Sequence, residues 1–146
     1  MATRSILFVG KRNAARSLMA EAAFNAIGMT GWRAFSAGTR PSASPDRHAL
    51  KALRKWGLPH DGLEPKPHSV FRLSGGPCVD LEIHFAHDQL IERGSLSILA
   101  WEISDPAQSG TLQAYHNSLD RICHEIGKLL FSGFLDQVQQ GFFRRT

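Results

Sequence analysis

The run Ile6-Leu7-Phe8-Val9 is apolar at every position, the pattern of a strand covered on both faces in a parallel sheet. Past a basic, small-residue turn at 10–17, Met19, Ala22, Ala23, Ala26 and Ile27 recur at three- and four-residue steps. That spacing predicts an amphipathic helix ending near Gly28 or Gly31, with alanines that let it lie close on a sheet. Trp32–Phe35 reads as a second strand, closed by Ser36-Ala37-Gly38. Ser44-Pro45-Asp46 then supplies an N-cap, a proline at the first helical position and an acid in the first turn. The helix that follows carries Ala49, Leu50, Leu53 and Trp56, and Gly57 stops it.

Residues 57–78 are rich in glycine and proline, and a long structureless loop is uncommon in a compact domain. A short helix around His68–Leu73 is therefore expected. Val79–Phe85 is a third strand, followed by a short helix near Asp88–Arg93, and Leu96–Trp101 is a fourth strand. Leu112, Tyr115, Leu119, Ile122, Ile126 and Leu129–Leu130 mark a long helix from about Thr111 to Ser132, and the tail FLDQVQQGFFRRT allows a further turn or two. The third strand is unusual because Val79, Leu81, Ile83 and Phe85 alternate with Asp80, Glu82 and His84. A doubly covered strand is apolar on both faces, so this alternation predicts a partly wet edge or a subunit contact in preference to a functional Glu82–His84 pair.

Strands alternating with helices imply an α/β fold: one three-layer domain with a four-stranded parallel sheet and helices on both faces. Ligands of such sheets bind beyond the carboxyl ends of the strands. The 10–17 loop, His87-Asp88 and Asp105 all fall at those ends and are expected to converge.

A chain of 146 residues, 42% hydrophobic and 21% charged, suits one ordinary soluble domain. Its formal charge of +4 favours encounter with anions without naming one. Cys78 and Cys123 are far apart and form no Cys-x-x-Cys pair, which points to a reducing cytoplasm rather than a disulfide scaffold. The apolar stretch before Gly10 is too short for a signal peptide core, and no run approaches a membrane span. His84, His87 and Asp88 lack a distant partner set for a metal, so no metal or cofactor is expected, although His87 could reach a bound anion. Aromatic side chains interleaved with basic ones for nucleic-acid stacking are not evident outside Phe142-Phe143-Arg144-Arg145, a tail that could dock or fray, so no nucleic-acid partner is expected.

The chemistry concentrates in FVGKRNAARS, residues 8–17. Successive amides in a tight turn, with a helix opening at Ser17, make an anion nest. Arg16 adds a planar two-pronged donor for phosphate, sulfate or arsenate, and Lys11 and Arg12 raise the positive field. A basic turn facing water is the competing reading of the same residues.

The longer segment ILFVGKRNAARSLMAEA resembles the active-site segment of low-molecular-weight protein tyrosine phosphatases and the related thioredoxin-coupled arsenate reductases, where a Cys-x5-Arg loop is usual. Asn13, Arg16, Ser17 and Met19-Ala20-Glu21 match it. The resemblance continues through FSAGTRP at 35–41, the helix end at 52–57 and Val79-Asp80-Leu81. It reaches Trp101 and Asp105-Pro106, which fit the reductase branch. It implies a thiolate that attacks phosphorus, Arg16 and the loop amides as the oxyanion clamp, Asn13 as loop stabiliser, Ser17 as the hydroxyl beside the thiol, and Asp105 as general acid. By position the nucleophile maps to Gly10. The chain departs from the family there, and again at Lys11 and Arg12, where small or neutral residues are usual. Cys78 is expected at the far end of the third strand and Cys123 among apolar positions on the long helix. Ala86 stands where a reductase relay cysteine is expected, so that cycle is not expected either.

These features predict a phosphatase-like pseudoenzyme whose residues Gly10, Lys11, Arg12, Asn13, Ala14, Ala15, Arg16 and Ser17 hold inorganic phosphate, sulfate or a phosphorylated ligand. Asp105 is a retained or vestigial acid, though Asp-Pro also starts turns. Two alternatives remain: a hydrolase that uses water directly, and a structural or dimeric interaction module.

Overall fold

A computed structural model of the chain describes residues 3–72, 79–85 and 97–139. Four parallel strands, β1 (Arg4–Gly10), β2 (Trp32–Gly38), β3 (Leu81–Phe85) and β4 (Ser97–Trp101), form one sheet in the order β2-β1-β3-β4. The helices are α1 (Arg16–Ile27), α2 (Arg47–Lys55), α3 (Leu112–Phe131) and α4 (Phe134–Gln139), with 3-10 turns at His68–Arg72 and Pro106–Gln108. This is the expected single α/β domain with a four-stranded parallel sheet and helices.

Alternation along the strands divides the core. Ile6, Phe8, Ala34, Leu81, Ile83, Phe85 and Trp101 face α1, α2 and α3 and share one cluster with Met19, Ala23, Leu53, Leu119 and Ile122. Ala20, Ala22 and Ala23 are almost fully buried, so α1 lies close on the sheet where bulkier side chains would hold it off. Leu7, Val9 and Ala37 point to the opposite face, where Phe71 of the first 3-10 turn packs with Phe35 and Val79. Helical segments thus cover both faces, the α-helices on one and the 3-10 turn on the other.

Three boundaries differ from the sequence reading. β2 runs on through Ser36-Ala37-Gly38, because those residues pair with Phe8, Val9 and Gly10. The cap of α2 is Asp46 rather than Ser44. Asp46 is extended and its carboxylate accepts from the His48 amide at 2.9 Å, so Pro45 precedes the helix. β3 begins at Leu81, since Val79 and Asp80 lead into it. The long helix holds closely, with Thr111 capping the Ala114 amide and Ser132 at its end. The first 3-10 turn sits where a short helix was expected. The helix expected near Asp88–Arg93, together with Cys78, Ala86, His87, Leu96 and Phe142–Arg145, lies outside the described residues.

The polar face of β3 is a correction. It is not a wet edge: β3 pairs with β1 on one side and β4 on the other. Glu82 and His84 are 2% and 1% exposed. The Glu82 carboxylate accepts from His84 Nε2 at 2.8 Å and from His68 Nε2 at 3.2 Å, an internal cluster of the kind that buried charge requires. Alternation alone cannot tell a solvated polar row from one satisfied by a neighbouring segment.

Candidate functional site

The 10–17 loop leaves the carboxyl end of β1, the central position that the topology makes a ligand site. Its carbonyls are engaged from outside. Gly10 O accepts from the Thr39 amide (3.1 Å), Lys11 O from Arg40 (2.7 Å), Arg12 O from Ser42 (2.8 Å) and Ala14 O from Asp46 (2.9 Å). In a trans peptide the N–H points opposite to the C=O. Fixing these carbonyls toward 39–46 therefore turns the amides of Lys11, Arg12, Asn13 and Ala15 to the inner side of the loop. The turn thus presents inward-facing amide donors directly before the start of α1.

Asn13 holds the curve. It has φ 51, the one non-glycine in the left-handed region among the described residues, and it is 2% exposed. Its Nδ2 donates to Ser17 Oγ at 2.8 Å, and its Oδ1 accepts from the Lys66 amide at 2.9 Å. Asparagine tolerates this conformation better than most residues, and here both ends of its amide are paired. Ser17 is buried behind the loop. A Cβ built on Gly10 would lie 3.3 Å from Ser17 Oγ, so a side chain at position 10 would stand beside that hydroxyl, and glycine leaves the place open.

Arg16 begins α1. Its guanidinium donates to Ile103 O at 2.7 Å and lies 5.7 Å from the Phe85 ring centre. It spans from the loop to the segment after β4, and both line one open cleft of about 1040 Å³. Residues 10–17 form the floor, and Asp105 stands in the wall. The Asp105 carboxylate also accepts from the Ala107 amide at 3.0 Å, capping the second 3-10 turn. The turn-starting reading of Asp105-Pro106 is thus seen directly, and the same carboxylate lies in the cleft.

The sequence profile of the low molecular weight phosphotyrosine protein phosphatases matches residues 5–84, more than half of the chain. The chain belongs to this family. No protein of curated function matches it. An arsenate reductase from Archaeoglobus fulgidus is similar in structure, with a TM-score of 0.73 and 28% identity over 85% of this chain and 97% of that one. A low molecular weight protein tyrosine phosphatase from T. tengcongensis gives a TM-score of 0.74 and 24% identity, covering 89% and 99%. A thioredoxin-dependent arsenate reductase from Corynebacterium glutamicum gives 0.74 and 23%, covering 93% of this chain and 64% of that one.

Within this phosphatase-family chain the fold brings together the loop and Asp105, while His87 lies outside the described residues. Cys123 is half-buried on α3, and burial, with Asp120 nearby, pushes its thiol pKa up, away from nucleophilic use. Among the described residues no cluster of three His, Cys, Asp or Glu side chains could hold a metal, and no helix is long and apolar enough to cross a membrane.

Sequence reasoning missed three supports of the loop. Gly38 ends β2 so close to the loop that a Cβ there would meet Lys11 O at 2.7 Å and Asn13 N at 3.0 Å. Lys66 receives the Gly38 amide on its carbonyl and gives its own amide to Asn13. Ser42 Oγ accepts from Arg12 Nε at 3.2 Å, holding that side chain along the cleft. The sequence signal for Gly38 is the motif FSAGTRP, in which only glycine fits against the loop. Lys66 carried none.

Proposed function

We propose that this chain binds phosphate or a phosphorylated ligand in the 10–17 loop and does not perform the family's covalent chemistry. The observation that carries the reading is the loop itself. External hydrogen bonds turn its amides inward, yet at its first position, beside the buried Ser17 hydroxyl, stands a glycine. Binding needs amides, a helix start and a guanidinium, all present. Covalent catalysis needs a nucleophile, and Gly10 offers none. Loss of a covalent nucleophile ordinarily costs orders of magnitude in rate. Lys11 and Arg12 add to this contrast, because a site with two more cations and no thiolate favours a resting anion.

The test is calorimetric titration of the chain with phosphate, sulfate and arsenate. Saturable binding is expected, weakened at least about tenfold in Arg16→Ala by loss of a charge-assisted contact. No binding to the unaltered protein, or equal binding to the variant, overturns the reading.

The presence of Asp105 in the same cleft favours a second reading, in which water attacks a phosphoester directly and Asp105 handles the proton. It predicts slow turnover that disappears in Asp105→Asn.

A further inference from the structure

The walls of the cleft select what is attached to the anion, an inference that rests on the loop being an anion site. Ser42 and Ser44 come from the β2–α2 connection, Arg47 from the start of α2, and Glu102, Ser104 and Gln108 from the segment beyond β4, with small aliphatic residues such as Pro45 and Ala107 between them. No Phe, Tyr or Trp lines the cleft among the described residues. Two aromatic residues stand behind it. Tyr115 is buried with its hydroxyl on the Asp46 carboxylate, and Phe85 is fully buried under the Arg16 guanidinium.

An aryl phosphate gains most from a flat aromatic partner for its ring, which the polar and small aliphatic side chains of this wall do not supply among the described residues. A hydroxyl-rich substituent fits this wall better. Serine hydroxyls and the Gln108 amide both donate and accept, and the carboxylates accept from sugar hydroxyls. A volume of about 1040 Å³ admits a hexose as well as its phosphate. The geometry points to a small phosphorylated polyol or sugar as the ligand, with its phosphate in the loop and its hydroxyls against Ser44, Ser104, Gln108 and Glu102. The cationic Arg12 and Arg47 add field for a dianionic phosphate.

The experiment is calorimetric titration of the full chain with inorganic phosphate, glucose 6-phosphate and phenyl phosphate. Phosphate is expected to bind, and glucose 6-phosphate to bind at least about tenfold more tightly than phenyl phosphate. The double variant Ser104→Ala, Gln108→Ala, at exposed positions, is expected to shrink that ratio. Ala43→Tyr, which sets a ring on the exposed rim, is expected to raise phenyl phosphate affinity relative to glucose 6-phosphate. Phenyl phosphate binding as tightly as glucose 6-phosphate, with phosphate binding intact, overturns the ligand class and leaves the anion site standing. Ratios unchanged in both variants also overturn it. Failure of every titrant, inorganic phosphate included, removes the anion reading itself.

Discussion

Single residues set the shape and chemistry of the loop at the end of β1. A side chain at position 10 would meet Ser17 Oγ at 3.3 Å, a close but tolerable contact. Gly10→Cys is therefore expected to fold and to place a thiol beside a hydroxyl and inward-facing amides, surroundings that favour a thiolate. Turnover of p-nitrophenyl phosphate by that variant, with none by the unaltered protein, is the expected result. An inactive but folded Gly10→Cys would show that more than the nucleophile is missing. Asn13 works by mechanics. Asn13→Ala leaves the Lys66 amide and the Ser17 hydroxyl without their partner and puts alanine at φ 51, for a loss of about 1–3 kcal/mol in urea unfolding. Gly38→Ala has no such slack: its methyl would meet the Lys11 carbonyl at 2.7 Å, so the backbone of the loop must shift. A severalfold weaker titration with phosphate, at little change in helix content by circular dichroism, is the expected signature.

At the scale of elements, the strands were legible where their chemistry was uniform. Ile6–Val9 is apolar throughout because β1 lies between two other strands and is covered on both faces. The long helix α3 was legible for the same reason, since a stripe from Leu112 to Leu130 has one face to bury. β3 was not. Its Glu82 meets His84 and also His68, which arrives from a turn outside the strand, and no local pattern announces that meeting. The meeting also sets a pH dependence. Burial alone would raise the Glu82 pKa, but hydrogen bonds from His68 and His84 outweigh it and hold the carboxyl at about 2, below its ordinary 4.5. A folded pKa below the unfolded one contributes stability above pH 4.5 that is lost as pH falls from 4.5 toward 2. Urea midpoints at pH 6 and pH 3 are expected to fall less far apart in Glu82→Gln than in the unaltered protein. Equal slopes would mean that the cluster does not couple to folding.

At the scale of the molecule, charge and topology act together. A chain of net charge +4 that gathers Lys11, Arg12, Arg16 and Arg47 around one cleft should attract anions over a distance set by ionic strength. Affinity for glucose 6-phosphate is expected to drop clearly between about 0.01 and 0.15 M salt, as the Debye length shortens from about 30 to 8 Å. An affinity indifferent to salt would assign binding to the amides and Arg16 alone.

The sequence by itself determined the alternation of strands and helices, the position of the loop at a strand end and the glycine at its start. Each of these depends on residues near one another in the chain, or on a motif that spacing alone reveals. The tertiary structure decided the direction of the loop amides, the burial of Glu82 and His84, and the mixed polar and aliphatic walls of the cleft. These depend on partners far away in the chain, such as 39–46 for the loop carbonyls, Lys66 for Asn13, His68 for Glu82 and the 102–108 segment for Arg16. Hydrogen bonds and charges act across space at about 3 Å, and only the folded sheet brings those groups within that distance.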